Sequence, residues 1–308
     1  MSEAMFDVPF PENEPIKGYL EGSSEKKEMK AALKKMAGET IDIPMVIGGQ
    51  EVRTGNTADC VMPHKHSHKL GQYHKGGEIE VKLAIKAAQK AKKGWAATPF
   101  QHRAAILLKA AELLAGRYRQ VLNASTMLGQ SKNAFQAEID SACELIDFWR
   151  FNPHYGAQIL SEQPDSAPGM WNMLEQRPLD GFVFAVSPFN FTSIAGNLTT
   201  APALMGNTVV WKPASSSVFS GHYIMEILKE AGMPDGVINF VPGSGGQIGN
   251  PVMASGDLAG VHFTGSTGVF QGMWKQIGTN IHNYGCYPRI VGETGGKDFV
   301  FAHPSADV

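Results

Sequence analysis

Cysteine is scarce here. Only Cys60, Cys143 and Cys286 occur among 308 residues. Their wide separation makes neither a disulfide framework nor a zinc-type spacing, so a reducing compartment is expected. No apolar run approaches the roughly 20 residues that span a bilayer. Basic residues are not in excess either. Lys and Arg number 27 against 29 Asp and Glu, a net charge of -2, whereas a nucleic-acid surface usually shows a positive balance. The opening stretch, MSEAMFDVPFPENEP, carries acids and prolines where a targeting peptide needs basic residues and an apolar or amphipathic run. Repeats of fixed period and low-complexity tracts are absent as well. Together these absences predict a cytoplasmic protein that binds neither nucleic acid nor membrane.

What is present is an ordinary globular composition, 43% hydrophobic and 18% charged, with length enough for two domains or one large α/β unit. Residues 1–50 look like an arm, broken by Pro9, Pro11 and Pro15. A charged helix over Ser24 to Met36 follows, then two short strands around Gly48-Gly49. Over 51–162 the apolar spacing predicts three helices. Glu78 to Trp95 places Ile79, Leu83, Ile85, Ala88 and Trp95 on one stripe, and His102 to Leu114 makes another. Ser131 to Arg150 carries Ile139, Cys143 and Ile146 at helical steps. Cys143 is most simply a small buried hydrophobe there, and spacing makes Glu138, beside the stripe, a solvated acid. His64, His66 and His68 alternate, which on an extended segment would gather them as metal ligands; the plainer reading is a polar loop. Residues 163–180, with MWNMLEQRP as a strand, suggest a projecting hairpin that pairs with another subunit.

From Gly181 the pattern is regular. Apolar strands at Phe182 to Val186, Thr208 to Trp211, Val237 to Val241, Ala259 to Phe263, Arg289 to Val291 and Phe299 to Ala302 alternate with helices. This predicts an α/β fold, a doubly wound parallel sheet over 181–308. Ligands bind such sheets at the carboxyl ends of the strands, and the polar residues fall there. Asn190, between two phenylalanines, suits either an oxyanion donor or an Asx turn. Lys212 suits ribose hydroxyls or plain solvent. The loop over 243–249 misses G-x-G-x-x-G by one residue. At Gly265-Ser266-Thr267-Gly268 a strand gives way to a helix whose free N–H groups and hydroxyls fit a pyrophosphate, or a simple N-cap. Glu293, on a glycine-rich loop, suits a general base or a turn cap.

SPFNF, VVWKP, HFTGSTG and VGETGGK, in this order, resemble the aldehyde dehydrogenase superfamily. TMLGQSKNAFQAEIDSACELIDFWRFN, GNLTTAPALMGNTVVWKP, INFVPG, WKQIGTNI and YPRIVGETGGKDFVFAHPSADV look like its Δ1-pyrroline-5-carboxylate dehydrogenase branch. The resemblance implies a Rossmann-like NAD-binding domain, a homo-oligomer, and NAD-dependent oxidation of L-glutamate γ-semialdehyde to L-glutamate in proline degradation. It implies that Asn190 is the side-chain oxyanion donor, Glu293 the general base, and Lys212 the ribose contact. Gly265, Ser266, Thr267, Gly268 and Val269 would line the pyrophosphate, and Glu138 would be an acid beside the aldehyde. Ser215 stands where many NAD-dependent relatives carry an acid, so NADP stays open. The family's nucleophilic cysteine lies beyond GETGGK, where none of these three cysteines falls. The chain is therefore expected to be the N-terminal part of a longer enzyme, without its catalytic domain and inactive alone. The alternatives are a non-catalytic NAD-binding module, a structural or interaction protein, or another semialdehyde dehydrogenase.

Overall fold

The structure, a computed structural model, describes residues 7–296 and 300–307. An arm without regular structure leads into α1 (Ser24–Gly38), whose first turn is capped by Ser23, the side chain accepting from the Lys26 N–H. Three short strands follow, β1 (Ile41–Ile43), β2 (Met45–Ile47) and β3 (Gln50–Val52). Gly48 and Gly49, at φ 59° and 78°, make the tight β2–β3 reversal, and a Cβ on Gly49 would fall 2.0 Å from the Asp235 carboxylate. Strands β4 (Thr57–Met62) and β5 (Lys65–His74) come next. After them run α2 (Glu78–Ala97), α3 (Phe100–Ala115), α4 (Arg119–Gln130) and α5 (Ala134–Ala137). A π-helical turn, Glu138–Cys143, joins α5 to α6 (Glu144–Ser161). Then strand and helix alternate: β6 (Phe182–Val186), α7 (Thr192–Leu204), β7 (Thr208–Lys212), α8 (Val218–Ala231), β8 (Ile238–Phe240), α9 (Gly245–Met253), β9 (Leu258–Gly265), α10 (Thr267–Thr279) and β10 (Arg289–Thr294).

The main sheet has the order β10-β9-β6-β7-β8-β2-β3, parallel from β10 to β8 and antiparallel at the β2–β3 edge. Its central strands are apolar on both faces: Phe182 to Ala185 and Thr208 to Trp211 are all buried, as a sheet covered by helices on both sides requires. Alternation along β6 and β7 sends Val183, Ala185, Val209 and Trp211 into one core with α3, α4, α6, α7 and α8. Phe182, Phe184 and Val210 enter the opposite core with α2, α9 and α10. The double winding expected from the pattern is thus observed. Because β6 is flanked by β7 on one side and β9 on the other, the crossovers diverge there, and the crevice beside β6 is the topological switch point.

Several expectations change. A second sheet, β1-β5-β4, occupies the stretch read as a polar histidine loop. Its histidines turn apart: His64 Nδ1 meets Ser131 Oγ at 2.7 Å, and His68 Nε2 meets the Ala37 carbonyl at 2.8 Å. Helix α4 was missed, because its buried face is mostly polar or small, with Arg119, Gln120, Asn123, Ser125 and Thr126. On α2 the buried stripe is Val81, Ala84, Ala88 and Trp95, while Ile79 is 71% exposed. The small residues let α2 lie close to the sheet, so bulk was the wrong guide to phase. Ile139 is exposed because the π turn shifts the helical phase. Residues 163–180 carry no strand: the excursion is tied by Leu174 N–H to Gln163 Oε1 and Asn172 N–H to Ser166 Oγ, side-chain bonds with no neighbouring ladder. The last apolar run begins at Phe299, outside the described residues, and 300–302 hold no strand.

Candidate active site

A cavity of about 1020 Å³ opens at the switch point, along the carboxyl ends of the parallel strands. The β6 exit supplies Ser187 to Asn190, β7 supplies Lys212, β9 supplies Gly265, and β10 supplies Glu293. Four sequence-predicted residues from four strands therefore meet at one edge. Lys212 is half-buried, its ammonium donates to the Pro213 carbonyl at 3.0 Å, and burial pulls its pKa below the usual lysine value. The Lys212 bond is to its own neighbour, so the ammonium is free to exchange it for a ligand oxygen.

Two helix starts face this cavity. Ser266 is the N-cap of α10 in extended conformation, yet its hydroxyl makes no capping bond. The plain cap anticipated for it is not what the structure shows. Val269, one turn on, lines the wall, while Thr267 and Gly268 are exposed on the first turn and do not line it. Ser215 likewise stands outside, exposed, with its hydroxyl 3.5 Å from the Gly243 carbonyl. The glycine stretch set aside as an imperfect motif proves part of the site. Gly245, Gly246 and Gly249 lie in the first turns of α9, not in a loop, and all three line the cavity. A Cβ at Gly245 or Gly249 would meet nothing within 4 Å beyond its own helix backbone, so the space beside them is open to a ligand. Unpaired helix-start N–H groups, a free hydroxyl and an ammonium make a donor set suited to phosphate and ribose oxygens. The volume matches a dinucleotide-sized ligand.

Glu293 is on β10, not on a loop. It pairs with Thr264 of β9, whose hydroxyl donates to Glu293 Oε2 at 3.2 Å. Edge position leaves the carboxylate exposed toward the cavity mouth. Its neighbour Gly292 leaves room for the Phe270 ring, since a Cβ there would fall 2.2 Å from it. Asn190 is exposed on the segment before α7 and makes no internal hydrogen bond among those described, so the Asx turn is not formed.

Glu138 behaves differently from both sequence expectations. It is neither solvated nor among the residues lining the cavity: its side chain is 0% exposed. It accepts from Lys17 N–H at 2.8 Å, Tyr19 Oη at 2.6 Å and Asn123 Nδ2 at 2.8 Å, and pairs with the Arg119 guanidinium. Burial alone would raise its pKa, but Arg119 and these donors outweigh it and hold the carboxyl below the usual range. Arg119 also binds Glu14 and, at 2.8 Å, the Pro15 carbonyl. The group is a buried clasp that fastens the arm to α4. Tyr19, at φ 53°, adopts a left-handed backbone within it.

The acid that does approach the site is Glu144, which spacing did not single out. It accepts from Ser193 Oγ at 2.5 Å, on the first turn of α7, three residues past Asn190. Burial raises its pKa, helped by the charges of Asp140 and Glu293. Only the π turn could have flagged it, by rotating Asp140 and Glu144 toward α7. Among the described residues no cysteine lines the cavity. Burial pushes Cys60 and Cys143 up to about 12. Cys286 lies at the Leu258 carbonyl, at the opposite, amino end of β9.

Residues 51–308 match the aldehyde dehydrogenase family. The chain belongs to that family. It is 50% identical over 307 residues to Delta-1-pyrroline-5-carboxylate dehydrogenase of Agaricus bisporus, covering 99% of this chain and 56% of that protein. The human mitochondrial enzyme of the same name is 45% identical over 296 residues, 96% of this chain and 53% of the relative. Among solved structures, the Delta-pyrroline-5-carboxylate dehydrogenase of Mycobacterium tuberculosis bound with NAD superposes with a TM-score of 0.97 at 52% identity. That match covers 99% of this chain and 57% of the other. A Thermus 1-pyrroline-5-carboxylate dehydrogenase with bound NAD gives a TM-score of 0.88 at 32% identity, covering 95% and 57%. This aldehyde dehydrogenase family member spans about half the length of the relatives it matches.

Proposed function

We propose that the chain carries the cofactor site and the oxyanion donor for NAD-dependent oxidation of L-glutamate γ-semialdehyde to L-glutamate, in proline degradation. The observation that supports this most is the meeting of Lys212, two open helix starts, Asn190 and Glu293 around one cavity. The relatives are named for Δ1-pyrroline-5-carboxylate, whose ring-opened, hydrated form is the semialdehyde, and two of the similar structures hold NAD. Lys212 would hold ribose hydroxyls, while Gly245, Gly246, Gly249, Gly265, Ser266 and Val269 would flank the pyrophosphate. Bound there, the nicotinamide ring would accept the hydride leaving the aldehyde carbon. Asn190 donates its amide N–H to the substrate oxygen as charge develops on it. Glu293 accepts the proton of an attacking group. Glu144, close enough to feel the charge of Glu293, is better placed than the enclosed Glu138 to meet a cationic part of the substrate.

No described cysteine occupies the site, so the covalent step falls to none of these residues. The 308-residue chain is expected to bind cofactor without oxidising aldehyde. Titration of NAD into the chain, followed by calorimetry, tests the reading. Lys212→Ala should weaken binding about 10- to 100-fold, the worth of a hydrogen bond to a charged group. Undetectable NAD binding, or binding untouched by the substitution, would sink the assignment. NADP should be titrated in parallel, since Ser215 presents no repelling charge.

We also read the 163–180 excursion as the contact of a homo-oligomer, supported by Trp171 at 90% and Met173 at 78% exposure. Light scattering that shows a monomer would refute it. No helix among the described residues is long and apolar enough to cross a membrane. The free cysteines suit a reducing compartment; the Dictyostelium discoideum and human relatives are named mitochondrial, a designation that is theirs.

A further inference from the structure

The segment that carries Asn190 is short, exposed and flanked by phenylalanines, and an oxyanion donor works only if it is aimed in advance. Its neighbours show what does the aiming. Lys132, between α4 and α5, has a side chain 16% exposed and an ammonium 2.5 Å from Asp140 Oδ2. On its other side the same ammonium sits 4.1 Å from the centroid of the Phe191 ring. Asp140 is 4% exposed; it accepts from Ser193 Oγ at 3.2 Å and lies beside the Thr192 backbone N–H. The Ser193 hydroxyl has a single proton, yet it lies within reach of two carboxylates, Asp140 and Glu144. A positive group beside the two carboxylates offsets their charge, and Lys132, paired with Asp140, supplies it.

We propose that Lys132 is a positioning residue for the oxyanion donor: clamped to Asp140 and seated on Phe191, it holds residues 190–193 and, through Ser193, Glu144. Naming Asn190 a donor rests on the proposed function; the clamp itself does not. The pair Thr126 Oγ1 and Gln130 Nε2 holds Thr192 Oγ1 independently, at 2.8 and 2.7 Å. Removing Lys132 should therefore loosen the segment without unfolding α7.

The test uses the 308-residue chain with ¹⁵N-labelled asparagine and threonine. In Lys132→Met the Thr192 amide should exchange with solvent about 10-fold faster, in line with the loss of a cation–π contact and a partly buried ion pair. The Asn190 side-chain amide signals should shift and broaden. Lys132→Arg, which keeps the charge and can stack on the ring, should restore both. Phe191→Leu leaves the Lys132–Asp140 pair intact and should broaden Asn190 while leaving Thr192 exchange unchanged, so it decides the matter should Lys132→Met fail to fold. Unchanged Thr192 exchange in a folded Lys132→Met chain overturns the proposal, as does an equal loss in Lys132→Arg. None of these readouts needs turnover. A chain that binds no NAD would defeat the functional reading and leave this one standing.

Discussion

Replacing Glu138 by Gln separates a clasp from a substrate-binding acid. The substitution keeps shape and removes charge, so Arg119, 1% exposed, is left with Glu14 as its acidic partner among the described residues. Losing one partner of a buried ion pair costs about 3–5 kcal/mol. Because Glu14 shares the guanidinium, the lower end applies, about 3 kcal/mol. Further loss comes from donors left facing a donor: Lys17 N–H, Tyr19 Oη and Asn123 Nδ2 all converge on the carboxylate. Urea unfolding followed by far-UV circular dichroism measures the change, and limited proteolysis reports on the arm. We expect a lower midpoint and faster cleavage within residues 7–20. A loss under about 1 kcal/mol, the scale of an exposed pair, with unchanged cleavage, would refute the clasp and return Glu138 to the list of substrate contacts.

Acid should act on the same clasp. Glu138 is held below the usual carboxylate range in the folded chain. Its contribution is therefore complete above about pH 4.3 and lost as pH falls through and below that value. Asp140 and Glu144 are raised and work in the opposite sense, so release of the arm in acid, followed by proteolysis at graded pH, reports on the Glu138 clasp. Gly292→Ala drives a methyl group into Phe270 and should cost about 1–3 kcal/mol, as overpacking does. Because Phe270 belongs to α10, thermal unfolding and NAD titration should weaken together. Asn190→Ala, in a form that turns over aldehyde, should lower kcat about 100- to 1000-fold with little change in cofactor affinity; an unchanged kcat would remove Asn190 from the mechanism.

The sequence by itself determined the sheet and its reactive edge. Phe182 to Val186 and Thr208 to Trp211 are apolar without alternation, which only a strand buried on both faces tolerates. Once those strands are parallel, Asn190, Lys212, Gly265 and Glu293 must fall at one end, whatever the side chains do afterwards. Local periodicity could not see the rest, because it depends on neighbours distant in the chain. The arm binds the π turn across more than a hundred residues, from Lys17 to Glu138, and no spacing near Glu138 announces a partner there. The π turn over Glu138–Cys143 changes which residues share a face. It puts Glu138 under the arm and Asp140 and Glu144 against α7, so a stripe drawn at 3.6 residues per turn misplaced Glu138 and left the other two unnoticed. Gly245 to Gly249 matched no motif, but fold topology brought that helix start to the cavity. Strand pairing follows from which residues are apolar; the choice among three nearby carboxylates follows from how one extra residue rotates a helix, and only the packed tertiary structure contains that rotation.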